Sequence, residues 1–227
     1  MSTRKSLAIV AGAGSGLGQS LLARFEAEGM EVVGLGRSVP DHTTGRFVQL
    51  DLADEAASSA VLGDLIAHHG PPKVVVHNTA ELVIAPFSET TLADYQRTWA
   101  STVQTLVVLG QSVLQPMVHG GGGTLIVSGA TASLRGGARF SVFAASKFAL
   151  RGLTQSLARE YQPAGVHVAH VILDGIIDTA RSRDLHSLDP AKMMKPEDIA
   201  EVYWQITQQS RSTWSHEIDL RPASEGF

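Results

Sequence analysis

Gly12, Gly16 and Gly18 are the first residues of the chain whose spacing carries chemistry. They follow an apolar run of strand type at residues 7–10 and lead into Leu17, Leu21, Leu22 and Phe25, which recur at helical spacing. Glycines in such a strand-to-helix turn adopt backbone angles closed to other residues and let a ligand reach the main chain. The helix start behind them offers free N–H groups and the positive end of a dipole, which suits a pyrophosphate. Gly12, Ser15, Gly16, Leu17 and Gly18 are therefore the candidate diphosphate contacts. A tight turn with no ligand is the other reading, and the flanking strand and amphipathic helix weigh against it.

The next strand bears on which nucleotide. Gly29 ends the first helix and residues 31–35 read as a second strand, which completes a βαβ unit. In NAD-type units a carboxylate about 20 residues past the glycines accepts from the ribose 2′-OH, whereas NADP needs room and a cation for its 2′-phosphate. Here the position holds Gly36, followed by Arg37. NADP(H) is thus favoured over NAD(H), with a solvated loop charge as the other reading of Arg37.

Other reactive side chains narrow the chemistry. Cysteine is absent, which removes disulfides, thiolate catalysis and sulfur-ligated metals. No metal site is expected from the nine histidines. His68 and His69 close a helix, where a positive partner suits the dipole, and His167 and His170 stand at odd spacing in a strand, so they face opposite sides. His77 reads as a core or turn histidine. A net charge of −4 offers no basic surplus for nucleic acid or an anionic membrane. No apolar run approaches the roughly 18 residues of a membrane span, so the expectation is a soluble protein without a signal peptide, cytoplasmic by default.

Positioning these groups requires a regular scaffold. Strand signals recur at residues 7–10, 31–35, 47–50, 73–76, 124–128, 166–173 and 218–220, and helical signals alternate with them. That order predicts an α/β fold of Rossmann type, a doubly wound parallel sheet of about seven strands with helices on both faces. Helices are expected at residues 54–69, 91–117 and 142–161 and from Pro196 onward, with Thr91 and Asp94 forming a cap. Residues 174–195 read as irregular. The chain has 227 residues, 44% of them hydrophobic, and shows no repeat or composition break, so a single dinucleotide-binding domain over residues 1–227 is the simplest organisation.

The G-x-x-x-G-x-G spacing, with Ala11 where a Thr is usual, resembles the short-chain dehydrogenase/reductase family, and the likeness runs from Leu7 to about Leu220. The resemblance implies a nicotinamide cofactor, hydride transfer to or from a small carbonyl or alcohol substrate, and a homodimer or homotetramer formed across the helices at 91–117 and 142–161. For that interface Val103, Leu106, Val107, Gly110, Ala149, Gly152 and Leu153 are candidates, with a core role as the alternative. It also implies that Asp51 and Leu52 contact adenine, although Asp51 reads equally as a turn residue leading a helix. His77-Asn78-Thr79-Ala80 stands where the family shows N-N-A-G, so the main chain at Asn78 is expected to line the cofactor ribose. Ile177 main chain and the Thr179 hydroxyl would reach the carboxamide.

The family's reaction centre is where the chain departs. In an intact member a Tyr exchanges the proton at the substrate carbonyl. A Lys holds the nicotinamide ribose and lowers the Tyr pKa, a Ser orients the reacting oxygen, and an Asn braces a relay water. Carried onto this chain these places are Phe143, Lys147, Ala130 and Thr102, and only Lys147 is kept. Phenylalanine has no ionisable hydrogen and alanine cannot hydrogen-bond the reacting oxygen. Such an acid is typically worth 10²–10⁴-fold and one oxyanion donor about 10²–10³, so carbonyl reduction is expected to be slow. Tyr95, Tyr161 and Tyr203 lie at the wrong spacing to serve as a shifted tyrosine. Ser128, Thr131 and Ser141 are possible substitutes, and Asp174 stands where an ion pair with Lys147 is conceivable. Local bonding to the backbone is the commoner fate of such residues. Catalytically inactive NADP(H) binding is the alternative reading.

Overall fold

The computed structural model describes residues 5–224. Its seven strands, β1 (Leu7–Ala11), β2 (Glu31–Gly36), β3 (Arg46–Gln49), β4 (Val74–His77), β5 (Gly123–Ser128), β6 (Val166–Leu173) and β7 (Glu217–Leu220), form one sheet in the order β3-β2-β1-β4-β5-β6-β7. Every pairing is parallel. The helices are α1 (Leu17–Ala27), α2 (Glu55–His69), α3 (Leu92–Trp99), α4 (Thr105–His119), α5 (Ser141–Tyr161), α6 (Ala180–Leu185) and α7 (Pro196–Thr207). The strand order reverses between β1 and β4, and in open parallel sheets such a switch leaves a crevice at the carboxyl ends of the strands.

Burial follows the two-residue period of the strands. Leu7, Ile9, Val75, Leu125 and Val127 turn to one face, where Leu62 of α2, Leu106 and Leu109 of α4 and Leu150 of α5 cover them. Ala8, Val10, Val76 and Ile126 turn to the other, under Leu21, Leu22 and Phe25 of α1 and Ile199, Tyr203 and Ile206 of α7. Both faces being covered, β4 and β6 are buried along their whole length, which is why they read as nearly unbroken apolar runs. Each fully buried Leu or Phe contributes on the order of 2 kcal/mol. The two strand histidines do face apart: His167 stacks on Trp214 on one side, and His170 lies 3.4 Å from Glu217 on the other.

Two expectations need correction. The helix over residues 91–117 is continuous but not α-helical throughout. Thr91 and Asp94 make the expected capping box, but α3 ends at Trp99 and a π-helical stretch, Ala100–Gln104, separates it from α4. A π turn takes in an extra residue, so the apolar stripes on either side shift against each other. The segment 174–195 is also more ordered than expected: it contains α6, capped by the Thr179 hydroxyl accepting from Ser182 N, and Ile177 is bridged to Met194. Among the described residues no helix is long and apolar enough to cross a membrane.

Candidate active site

The cleft at the strand switch has a volume of about 690 Å³. Gly12, Ser15, Gly16, Arg37, Asp51, Leu52, Asn78 and Thr179 all line it. Three glycines make it possible. Gly12 has φ +86°, and a Cβ there would lie 2.7 Å from the main chain of Asn78. Gly16 has φ +105°, and its Cβ would meet the Thr179 methyl at 2.7 Å; at Gly18 it would meet Ala13 Cα at 2.6 Å. Strand end, helix start and the Thr179 segment therefore converge only because these side chains are missing. Gly16 is the N-cap of α1 and supplies no side chain to the first N–H groups, which remain for a ligand. Leu17 and Gly18 belong to that first turn; their side-chain positions are buried away from the cleft.

Several predicted residues carry a structural duty in the same place. Asn78 Nδ2 donates to Gly12 O at 3.1 Å, so its side chain pins the turn as well as its main chain lining the cleft. Asp51 Oδ1 accepts from Ala53 N at 3.0 Å, the turn role weighed from sequence. Leu52 is buried beneath it. Arg37 is exposed, with its carbonyl accepting from Gln49 Nε2 at 2.9 Å. Sequence reasoning missed Thr79, Thr105 and Arg181, which also line the cleft. The signal for Thr79 was present in the departure from N-N-A-G; for Thr105 none was.

Beyond β5 the chemistry changes. Lys147 on α5 is buried and its Nζ donates to Ser128 O at 2.8 Å. Phe143, one turn earlier and half-buried, places its ring 5.6 Å from that Nζ. Burial pushes the Lys147 ammonium down to about 8. Ala130 is extended and stands two residues past the end of β5. Thr102, in the π-helical stretch, is fully buried with an unbonded Oγ1. No phenol from α5 and no side-chain hydroxyl at Ala130 enters this slot.

The substitutes considered from sequence are committed elsewhere, and to side chains rather than to backbone. Ser128 Oγ bonds Tyr203 OH at 2.9 Å on the opposite face of the sheet. Ser141 Oγ accepts from Tyr95 OH at 3.2 Å. Thr131 donates to Asp174 Oδ1 in a short hydrogen bond. Asp174 forms no ion pair with Lys147. It is buried and its charge is met by Arg221 at 3.1 Å and Arg135 at 3.5 Å. The reason is reach: both arginines and Thr131 surround the carboxylate, while Lys147 is tied to the end of β5.

The chain is similar to known proteins. Residues 6–189 match the family described as short chain dehydrogenase. L-xylulose reductase of Bos taurus is 30% identical over 169 residues, which are 71% of this chain and 68% of that protein. A short-chain dehydrogenase of Rhodopseudomonas palustris superposes with a TM-score of 0.80 at 33% identity, covering 97% of this chain and all of its own. A metagenomic short-chain oxidoreductase solved in complex with NADP shares the fold, with a TM-score of 0.82 at 22% identity, over 97% of this chain and 100% of that one. With the family match spanning the glycine turn, the cleft and the helix that carries Lys147, the chain belongs to the short-chain dehydrogenase family.

Proposed function

We propose that this protein is an NADP(H)-binding oxidoreductase of that family, acting slowly on a small carbonyl or alcohol. The observation that carries the reading is the cradle at Gly12, Gly16 and Gly18, whose missing side chains leave room for a diphosphate against the first turn of α1. NADP(H), when bound, supplies or takes up a hydride. The N–H groups of Gly16, Leu17 and Gly18 would hold the diphosphate, and Arg37 beside Gly36 would meet a 2′-phosphate. Leu52 and Asp51 would bound the adenine, Asn78 would fix the turn, and Thr179 with the Ile177 main chain would face the carboxamide. Lys147 would hold the ribose. An NADP complex of a neighbour with the same fold supports the cofactor choice.

A second reading, a cofactor-binding protein with little turnover, is favoured by one specific observation: Ser128, Thr131 and Ser141 are all engaged with other side chains. One experiment separates the two. NADPH binding is measured by fluorescence titration, then carbonyl reduction is assayed on wild type, on Phe143→Tyr with Ala130→Ser, and on Lys147→Ala. Slow wild-type turnover, abolished in Lys147→Ala and raised about 10²-fold or more by the double change, supports the enzyme. Tight binding with turnover only after restoration supports the scaffold. For the cofactor, NADPH should raise the melting temperature more than NADH, and Arg37→Ala should narrow that gap; equal shifts in wild type would refute the preference.

We further propose one dinucleotide-binding domain that pairs with a second copy through α4 and α5. Val107 and Phe148 are exposed there, while Val103, Leu106 and Gly110 belong to the core. Sedimentation showing monomer alone would remove the interface.

A further inference from the structure

The edge of the sheet away from the cofactor cleft holds a second cavity, of about 500 Å³, at the amino ends of β1, β4, β5 and β6. Gly121, Gly122 and Gly123, from the glycine run that joins α4 to β5, form one side of it. Gly122 has φ +95°, and a Cβ there would stand 2.2 Å from Gly165 O, so the run passes residue 165 only as glycine. Met30, Val74, Trp204 and Trp214 supply apolar wall. Trp214 is stacked on His167 with ring centroids 4.8 Å apart, and Trp204 stands edge-on to Phe25 at 6.4 Å. Both indoles are therefore held in place before any ligand arrives, which spares a ligand the cost of ordering them.

Two polar groups in this cavity lack the partners their chemistry calls for. Lys73 is half-buried, and its Nζ donates to Gly120 O at 2.7 Å and to Gly122 O at 3.1 Å. Those carbonyls orient the ammonium without neutralising it, and among the described residues Lys73 forms no ion pair. An ammonium has three hydrogens, so one remains. Among the lining residues the one carboxylate, Glu28, is already paired with Arg24 at 2.5 Å. Thr124 is the register partner of Val74 and shares its face, while Leu125 turns to the core on the other side. Thr124 is 5% exposed, and its hydroxyl makes no hydrogen bond among the described residues. A buried hydroxyl and a half-buried cation left in that state are costs that a bound anion would remove.

We infer that this cavity is a binding site for a small aromatic carboxylate. Its carboxylate would accept from Lys73 Nζ and Thr124 Oγ1, whose backbones are neighbours, Thr124 N donating to Lys73 O at 2.9 Å. Both groups can donate and one is charged, which selects an acid over an amine or a neutral ligand. Two indoles and a thioether on the walls select a ring over an aliphatic chain, since aromatic edges and sulfur make favourable ring contacts. The site shares no residue with the glycine turn or the Phe143 slot, so the inference stands apart from the dinucleotide reading.

The test uses 2-naphthoate as probe and 2-naphthamide as its uncharged isostere, read by calorimetry and by amide shifts of the nitrogen-15-labelled protein. Naphthoate should bind saturably, shift the amides of Gly121, Gly122, Gly123 and Gly165, and leave those of Gly12, Gly16 and Gly18 in place. Naphthamide should bind about tenfold more weakly. Lys73→Met should cost naphthoate about tenfold and naphthamide little, and Thr124→Val, which keeps the shape and removes the hydroxyl, should cost naphthoate about threefold to fivefold. Thr124→Val serves alone if Lys73→Met does not fold. No saturable binding at millimolar probe overturns the inference. So do shifts centred on Gly12 to Gly18, which would put the probe in the cofactor cleft, and so does naphthoate affinity unchanged in the folded variants.

Discussion

The glycine turn after β1 and the slot around Phe143 both lie at the carboxyl edge of the sheet, and they balance their polar groups in opposite ways. At the turn, side chains are absent and main-chain N–H groups at the start of α1 remain for a ligand. At the slot, side chains are present and bond each other: Thr131 with Asp174, Ser128 with Tyr203, Ser141 with Tyr95, and Lys147 with the Ser128 carbonyl. One region offers hydrogen-bond donors to a ligand and the other is closed upon itself. The comparison teaches that a ligand-binding turn and a proton-transfer site have different requirements, because the first depends on backbone shape and the second on single side chains.

The largest expected effect attacks the open region. Gly12→Ala places a Cβ 2.7 Å from the Asn78 main chain at φ +86°, so strain and overlap add. The expected loss is about 4 kcal/mol of folding stability in urea titration, together with at least a hundredfold weaker NADPH binding. A variant that folds and binds normally would show that the turn yields, and the contrast between the regions would fail.

The second effect attacks the closed region. Asp174→Ala leaves Thr131 without its acceptor and removes a buried carboxylate that faces Arg221 and Arg135. Stability should drop by about 2 kcal/mol, from the lost charge-assisted hydrogen bonds to the buried carboxylate, since Arg135 is exposed and Arg221 keeps Asp219. NADPH affinity should change little, because Asp174 does not line the cofactor cleft. A large loss of affinity would instead join the two regions.

How far each region was legible in the sequence follows from the same contrast. The glycine turn, the seven strands and the cap at Thr91 were readable because they depend on local spacing and backbone angles. The π-helical stretch was not: the apolar residues on either side of Ala100–Gln104 look continuous to a helical period, and only the folded backbone shows the extra residue. Asp174 was placed near Lys147 by strand position alone. Its true partners, Thr131, Arg135 and Arg221, come from three separate segments that only the fold brings together. Tyr95 was set aside on spacing along α5, yet α3 carries its hydroxyl to Ser141 across space. The contacts of His77 with Thr79 and Thr105 join β4, the loop after it and α4, and no local pattern announces them.

Acid probes the buried histidines of β4 and β6. Burial holds His77 at about 3 and His170 at about 4 in the folded state, against 6.5 when unfolded. Below pH 6.5 the unfolded chain takes up protons that the folded chain refuses, so stability is lost as pH falls from 6.5 toward those folded values. Between about pH 7 and pH 5 His77 alone should account for about 2 kcal/mol. His77→Gln should flatten the pH dependence of the urea midpoint by that amount; an unchanged slope would mean the ring is not held neutral.

The smallest effect is also opposite in sign. Lys147 titrates at about 8 when folded and at 10.5 when unfolded, the shift coming from burial. Below pH 8 both states are protonated, so the folded state carries a buried ammonium at a cost of about 3 kcal/mol. That cost shrinks as pH rises from 8 to 10.5 and is absent above it. Lys147→Met removes the charge but leaves the Ser128 carbonyl without its donor, which costs about 1–2 kcal/mol. The apo protein should therefore gain about 1 kcal/mol near neutral pH, a gain that disappears in alkaline buffer, while NADPH binding weakens. A site kept for function can be less stable than its apolar replacement. If Lys147→Met instead destabilised the apo protein at pH 7, the lysine would be a structural brace of the closed region, and its place in the cofactor reading would lose this support.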